Sequence, residues 1–138
     1  MGPKKVLVID AQGGGLGKQV ILTIRQKLPD TEITAVGTNG IATAAMLKAG
    51  ADQAATGENA VIAACRSADV IIGPVGIVIA DALLGEITPA MALAVARSNA
   101  KRLLIPMNQC NSVVVGVPER NINRLIDDVI CQLQQPSC

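Results

Sequence analysis

The stretch Val6–Gln19 reads VLVIDAQGGGLGKQ and decides the fold of this chain. An apolar run of strand length is followed by four glycines within five positions, and then by the first positions of a helical apolar stripe. A strand, a glycine-rich turn and a helix in this order bring backbone N–H groups within reach of a phosphate at the helix N-terminus. The stretch therefore predicts an α/β unit with a phosphate site at its turn.

The rest of the chain alternates apolar runs of strand length with helical stripes. The predicted strands are Lys5–Ile9, Ile33–Val36, Val70–Ile72, Leu103–Ile105 and Val113–Val115. These runs are nearly continuous, which is typical of strands that are covered on both faces. Helices are predicted at residues 16–28, 41–50, 56–66 (capped by Thr56) and 122–133. The alternation predicts one three-layer α/β domain with a mostly parallel sheet over residues 1–135, followed by a flexible tail at 136–138.

The composition argues against several classes of function. The net charge is +1, with 12 Lys and Arg against 11 Asp and Glu, and the basic residues form no cluster. Nucleic acids and anionic membranes are bound through such clusters, so neither is expected as a partner. The chain has no Phe, Tyr, Trp or His. This removes base stacking on aromatic side chains, nucleophiles activated by histidine and histidine-bound metals, and no metal site is expected.

The cysteines and the apolar stretches indicate a cytoplasmic protein. No CxxC spacing is present, which is typical of reduced thiols, and the four cysteines are Cys65, Cys110, Cys131 and Cys138. The apolar run after Lys5 is four residues long and ends at Asp10, too short for a signal peptide. The apolar stretch 70–96 is divided at residues 85–89, so no membrane span is expected.

The glycine turn partly matches two known phosphate-binding patterns. Gly13 and Gly15 fit the first two glycines of the dinucleotide fingerprint, but Lys18 stands at its third glycine position. The Gly-Lys pair fits the end of a nucleoside-triphosphate P-loop, but Gln12 replaces its first glycine and Gln19 replaces the hydroxyl that holds magnesium. We therefore expect no hydrolysis of ATP or GTP above background. Three consecutive glycines exceed what helix packing requires, which favours a ligand contact.

The end of the second predicted strand bears on the identity of the ligand. A dinucleotide site normally has an acid there for the ribose. This chain instead has Gly37-Thr38-Asn39-Gly40. Thr38 or Asn39 could bind a ribose hydroxyl or a phosphate, or could cap the helix that begins at Ile41. NAD(P), a mononucleotide and a sugar phosphate all remain open as the ligand.

Two further turns are expected at the same edge of the sheet. Gly73, Pro74 and Gly76 follow the third predicted strand and are expected to face the first glycine turn. Asn108 and Cys110 follow the fourth, and either bind the ligand or are a turn former and an inert thiol. The candidate ligand-binding residues are Gln12, Gly13, Gly14, Gly15, Gly17, Lys18, Thr38, Asn39, Gly73, Pro74, Gly76, Asn108 and Cys110.

Two acids outside this set have simple structural interpretations. Glu58 is interpreted as a first-turn helix residue that the helix dipole favours. Glu86 precedes Thr88-Pro89 and is interpreted as part of a loop and cap, since proline is favoured at the first helical position. Neither acid is assigned to the ligand site.

Two segments, Val75–Leu84 and Ile87–Ala96, are apolar nearly all round if helical. Such helices must be buried on most of their faces, so we expect a homodimer or a higher homo-oligomer. Small residues such as Ala92 would allow close contact between helices. Asp81 would pair with a cation such as Arg97 across that contact, or would lie near the ligand site.

Seven short motifs are spread over the chain. They are DAQGGGLGK at residues 10–18, AVGTN at 35–39, AGAD at 49–52, TGEN at 56–59, IGPVG at 72–76, LGEITP at 84–89 and NQCN at 108–111. Together they resemble an uncharacterised bacterial family of short Rossmann-like proteins, over the chain up to about residue 132. The resemblance implies a Rossmann-like nucleotide-binding fold. It implies no catalytic residue, because no activity is established for that family.

The sequence thus predicts a small Rossmann-like protein that binds a nucleotide, dinucleotide or other phosphate ligand at the glycine turn. Whether it is an enzyme is left open. The alternative is a non-catalytic homo-oligomeric assembly or ligand-sensing regulatory protein. A dehydrogenase normally adds a second domain or a Tyr-Lys pair, and a chain of 138 residues without Tyr has room for neither.

Overall fold

The computed structural model describes residues 4–107, 111–118 and 121–134. The strands are β1 (Lys5–Asp10), β2 (Glu32–Gly37), β3 (Gln53–Thr56), β4 (Val70–Pro74) and β5 (Lys101–Ile105). The helices are α1 (Gly15–Lys27), α2 (Gly40–Ala49), α3 (Glu58–Cys65), α4 (Pro89–Arg97) and α5 (Ile122–Gln134). The strands form one sheet in the order β3-β2-β1-β4-β5, and each neighbouring pair is parallel.

Helices cover both faces of this sheet. Val8 of β1 lies in one apolar cluster with Ile24 of α1, Ile126 of α5 and side chains of α2. Ile9, the next residue of β1, lies in a second cluster with Val95 of α4 and side chains of α3. Successive strand residues point to opposite faces, which explains why the strands are apolar without alternation. The prediction of a single Rossmann-like α/β domain with three layers and a parallel sheet is confirmed.

The topology determines where a site can form. β1 is the central strand, and Val8 pairs with Ala35 of β2 on one side and with Ile72 of β4 on the other. In a parallel sheet all carboxyl ends lie at the same edge, where such folds bind ligands. The turns that follow β1, β2 and β4 therefore meet at this edge.

The strand predicted at Val113–Val115 is wrong, and the fifth strand is instead β3. Val113 and Val115 are 84% and 90% exposed, and none of the described residues pairs with them as a strand. β-Branched side chains favour a strand only where a partner and a buried face are present. β3 has the sequence QAAT, with one β-branched residue, and it forms because β2 offers a parallel edge.

The segment after β4 does not form the helix predicted at Val75–Leu84. A short 3-10 helix at Val75–Val78 is followed by turns, in which Asp81, Leu83 and Leu84 have φ angles of 66°, 57° and 58°. A left-handed non-glycine residue costs about 1–2 kcal/mol, and three of them exclude an α-helix here. Asp81 is exposed, so it needs no buried partner within the chain.

Of the N-caps that the sequence predicts for α4 and α3, one is present and one is not. Thr88 is the N-cap of α4, where its hydroxyl accepts a hydrogen bond from the Met91 N–H at 3.1 Å and Pro89 begins the helix, as the sequence indicates. The N-cap of α3 is Gly57 and not Thr56, which ends β3. The Thr56 hydroxyl instead lies 2.7 Å from that of Thr43.

One face of α4 is buried within the chain, whereas Leu93 of the same helix is 49% exposed. Ala92 and Val95 are 6% and 1% exposed in the cluster that joins α4 to α3 and the sheet. Ala92 is therefore a core residue and cannot serve an interface. The homo-oligomer remains a prediction. The expectation of two helices that are apolar on all faces no longer supports it, because no α-helix forms at residues 75–84 and α4 buries one face within the chain. In the described part of the chain, no helix is long and apolar enough to cross a membrane.

Candidate functional site

The four glycines of the turn between β1 and α1 fall into two classes. Gly14 has a φ angle of 74°, and a Cβ atom there would lie 2.8 Å from the Ala42 Cα. A Cβ at Gly17 would lie 2.5 Å from the Met46 sulfur and 3.0 Å from the Asp10 Cβ. These two glycines are required because α1 packs closely on α2 and on β1.

Gly13 and Gly15 have no such packing reason. Apart from their own chain neighbours, no atom of the described residues lies within 4 Å of a Cβ built at either position, and neither has a positive φ angle. Both glycines line a cavity of about 330 Å³, together with Gln12 and Gln19. The backbone at Gly13 and Gly15 is therefore open to a ligand that comes close to it.

The same stretch holds free hydrogen-bond donors. None of the described residues accepts a hydrogen bond from the N–H groups of Gly13, Gly15 and Leu16. Gly15 and Leu16 begin α1, where the first N–H groups have no partner within the helix and the helix dipole is positive. The exposed glycine backbone and the free N–H groups thus lie at one point of the cavity.

The buried side chain of Asp10 stabilises the turn between β1 and α1 through hydrogen bonds to its backbone. Its side chain is 5% exposed, and its carboxylate oxygens accept hydrogen bonds from the N–H groups of Ala11 at 2.8 Å and Gly17 at 2.7 Å. Burial raises the pKa of this carboxyl above its ordinary value, although the two N–H groups lower it. The Gly17 N–H is therefore already bonded within the protein.

Glu86 ties the turn to the end of β2. Its Oε1 atom accepts three hydrogen bonds: from the Gln12 N–H at 2.9 Å, the Thr38 hydroxyl at 2.6 Å and the Asn39 side-chain amide at 2.9 Å. The Thr38 hydroxyl is the main reason why the pKa of this carboxyl lies below its ordinary value, so Glu86 is ionised at neutral pH. One carboxylate thus holds together three turns at the carboxyl edge.

Thr38 and Asn39 do not line the cavity, although they lie beside its turn. The Thr38 N–H donates to the Asp10 carbonyl at 3.1 Å, and the Asn39 amide donates to the Gln12 carbonyl at 2.9 Å. The Asn39 side-chain oxygen accepts from the Ala42 N–H at 2.9 Å and caps α2. Of the two interpretations left open for Asn39, the cap is present, together with a contact to the glycine turn.

The second glycine turn contributes one wall of the cavity. Pro74 lines it, whereas Gly73 and Gly76 do not. A Cβ at Gly73 would lie 2.6 Å from the Ile9 carbonyl oxygen, so this glycine allows the close approach of β4 and β1. Gly76 is buried beside Ala82.

The remaining walls are apolar. They are formed by Leu16, Pro74, Leu83, Met107 and Ile122. Lys18 is exposed in the first turn of α1 and is not a lining residue. Asn108 and Cys110 lie outside the described residues, directly after Met107.

Asp10 and Glu86 were not predicted from the sequence to belong to the site. An acid at the end of a buried strand, directly before the glycines, is a signal that could have identified Asp10. Glu86 is 74 positions from Gln12, and no spacing rule connects the two.

Comparisons with known proteins assign the chain to a family of unknown function. The family model described as Domain of unknown function (DUF3842) matches residues 5–137. No curated protein matches the chain. Among solved structures, the crystal structure of a dodecameric FMN-dependent UbiX-like decarboxylase from Escherichia coli O157:H7 is 15% identical, over 96% of this chain and 92% of that chain, with a TM-score of 0.44. The predicted resemblance to an uncharacterised family is confirmed.

Proposed function

The chain belongs to the DUF3842 family, and we propose that it binds a nucleotide or another small phosphate ligand at the turn between β1 and α1. One observation carries the proposal: the open glycines Gly13 and Gly15 lie where three N–H groups lack an acceptor among the described residues. Phosphate oxygens fit such a place because they accept several backbone hydrogen bonds and are attracted to a helix N-terminus.

The cavity supports a ligand with an apolar or aromatic part. Its volume of about 330 Å³ is near the lower end of the range of about 300–1,000 Å³ for small-molecule sites. Leu83, Met107 and Ile122 offer an apolar wall to a ring such as a nucleobase. The size favours a mononucleotide over a dinucleotide within this cavity.

The charges near the turn are compatible with an anion. Two carboxylates lie near the turn, and donors within the protein partly compensate both: two backbone N–H groups bond to the oxygens of Asp10, and three donors bond to Oε1 of Glu86. Lys18 places a cation on the first turn of α1, and Lys18→Ala is expected to weaken binding without abolishing it. No residue with a magnesium-binding hydroxyl follows Lys18, so binding without hydrolysis of ATP or GTP remains the expectation.

Calorimetric titration with inorganic phosphate, pyrophosphate and nucleoside monophosphates tests the proposal. Gly15→Val places a side chain in the open space and should abolish binding with little change in thermal stability. Gly40→Val is the matched control, because Gly40 also begins a helix at the same edge and has open space around it. Equal affinity of wild type and Gly15→Val for every phosphate compound would contradict the proposal.

A second measurement uses the missing aromatic residues. Because the chain has no Phe, Tyr or Trp, strong near-ultraviolet absorption by the purified protein, with its cysteines kept reduced, must come from a bound molecule. A nucleotide that co-purifies with wild type and is lost from Gly15→Val would identify the ligand by mass spectrometry. A co-purified molecule that is retained by Gly15→Val would place its site elsewhere.

A homo-oligomeric regulatory protein is the second candidate, and two exposed apolar side chains favour it. Ile41 is 73% exposed and Leu84 is 93% exposed. The hydrogen bond between Asn39 and Glu86 brings their two segments together at the edge with the glycine turn. Leu84→Asp should dissociate an assembly that uses this surface. Sedimentation of wild type at monomer mass at micromolar concentration would contradict this candidate.

A further inference from the structure

The carboxylate of Glu86 has one oxygen in use and one available. All three of its hydrogen bonds, from Gln12, Thr38 and Asn39, end on Oε1. In the part of the chain that the structure describes, no group donates to Oε2. An ionised carboxylate has about two lone-pair sites on each oxygen, so Oε2 can accept hydrogen bonds from a ligand. The side chain is half-buried, which leaves this oxygen within reach of solvent.

Glu86 lies where dinucleotide-binding folds have the acid that binds the ribose. Dinucleotide-binding folds place an acid at the end of the second strand, where it accepts hydrogen bonds from the ribose hydroxyls. Here the end of β2 carries Thr38 and Asn39, and both donate to Glu86. The acid that the sequence of β2 lacks is therefore present in space, supplied by the loop before α4.

The same carboxylate is adjacent to the proposed phosphate site. Gln12 donates its N–H to Glu86, and the next residue, Gly13, begins the stretch with free N–H groups. Consecutive Cα atoms are about 3.8 Å apart, so the carboxylate and the free donors lie within the span of one sugar phosphate. Glu86 does not itself line the cavity, but its Oε1 lies 2.9 Å from the Gln12 nitrogen at the cavity's edge, so a ligand with its phosphate on the turn can place its sugar beside this carboxylate.

We propose that Glu86 recognises ribose hydroxyls and that the ligand of this protein is a ribonucleoside 5′-phosphate. The proposal rests on the phosphate site proposed above and adds the sugar to it. Oε1 positions the carboxylate through its three donors, and Oε2 accepts from the 2′-hydroxyl. The apolar wall at Leu83 and Met107 receives the base.

The test compares ribonucleotides with 2′-deoxyribonucleotides and needs no variant for its first arm. Calorimetric titration of wild type with the four common ribonucleoside 5′-monophosphates, their 2′-deoxy counterparts and inorganic phosphate measures each affinity. A hydrogen bond to a charged group corresponds to about a tenfold to hundredfold difference in affinity. We expect the best ribonucleotide to bind at least about tenfold more tightly than its deoxy form. Equal affinities, with binding intact, would overturn the assignment of Glu86.

The second arm uses Glu86→Gln. The glutamine keeps one oxygen for the three donors and replaces Oε2 by an NH₂ group, which cannot accept from a hydroxyl. The variant should lose the discrimination between ribose and deoxyribose, and its affinity for inorganic phosphate should not fall, because the change removes a negative charge beside the turn. Glu32→Gln is the matched control, because Glu32 is exposed at the opposite end of β2. Full discrimination in Glu86→Gln would overturn the proposal.

The two proposals fail in different ways. If wild type binds phosphate and nucleotides, and Gly15→Val does not, the phosphate site stands whatever the sugar comparison gives. If wild type binds no phosphate compound, or if Gly15→Val binds them all unchanged, the phosphate site fails and the ribose site fails with it.

Discussion

The turn after β1 and the turn after β4 share a sequence pattern, a buried strand followed by glycines, but they differ in what those glycines do. At the second turn, a Cβ at Gly73 would meet the Ile9 carbonyl at 2.6 Å, and one at Gly76 would meet the Ala82 Cβ at 3.3 Å. At the first turn, Gly14 is similarly packed, whereas Gly13 and Gly15 face open space. Glycine thus serves packing in both turns, and only the first has glycines that packing does not explain.

The largest expected effect is at the packed glycine of the first turn. Gly14→Ala forces a side chain into a left-handed conformation, at about 1–2 kcal/mol, and adds a Cβ 2.8 Å from the Ala42 backbone. Overpacking of this kind costs about 1–3 kcal/mol more. We expect a total loss of about 3 kcal/mol in the free energy of unfolding, measured by chemical denaturation. A loss no larger than that of Gly40→Ala would contradict the conclusion that packing requires a glycine at position 14.

The next effect is at the second turn. Gly73→Ala adds no conformational strain but puts a Cβ 2.6 Å from the Ile9 carbonyl, between the two central strands. Because strand backbones cannot move apart cheaply, we expect a loss of about 2 kcal/mol by the same measurement. Ligand affinity of the folded fraction should be unchanged. A Gly73→Ala variant as stable as wild type would show that β1 and β4 can separate.

The open glycines should give the opposite result. Gly13→Ala and Gly15→Ala meet no described atom outside their chain neighbours, and alanine restricts the unfolded chain more than glycine does. We expect a gain of about 0.5 kcal/mol in the free energy of unfolding for each. A loss of stability near that of Gly14→Ala would show that packing requires these two glycines as well, which would contradict a ligand site at their backbone.

The smallest effect is a pH dependence confined to the first turn. The pKa of Glu86 is below its ordinary value of 4.5, whereas the stretch from Gly73 to Gly76 contains no ionisable side chain. The contribution of the Glu86 carboxylate to stability is therefore complete above pH 4.5, and it is lost as the pH falls through the lowered pKa. Wild type should be slightly more stable than Glu86→Gln at pH 7, and the difference should be smaller at about pH 3.

Chemical denaturation of both proteins at the two pH values measures this difference. Asp10 has a raised pKa, so its own contribution falls as the pH rises above 3.8, but it is present in both proteins and largely cancels. A difference that stays constant with pH would mean that the charge of Glu86 does not hold the turn.

The fold was predictable where local pattern and tertiary structure agree. β1, β2, β4 and β5 bury continuous apolar runs, and α5 has a clear apolar stripe, so periodicity identified them. β3 was not predicted, because a four-residue edge strand depends on its partner more than on its own side chains. The valines at 113–115 misled because β-branched residues indicate a strand only when a neighbour is present.

The candidate site was predictable only in part, for a different reason. The glycines reveal the turn, but whether a Cβ has room depends on Ala42 and Met46 of another helix. Glu86 acts on the turn across 74 positions of sequence, from a loop that was predicted but not assigned to the site. Contacts of this range depend on the folded chain, and a single sequence contains no pattern for them.

The central place of β1 also sets the order in which the chain can fold during synthesis. The contact between the Lys5 N–H and the Asp69 carboxylate spans 64 residues, and β4 follows directly. At a translation rate of about 5–20 residues per second, roughly 3–13 s separate the two strands. During that interval one edge of β1, apolar on both faces, has no partner and is a target for chaperones or aggregation. Glu86 emerges later still, so the glycine turn acquires its final shape only after the centre of the sheet has formed.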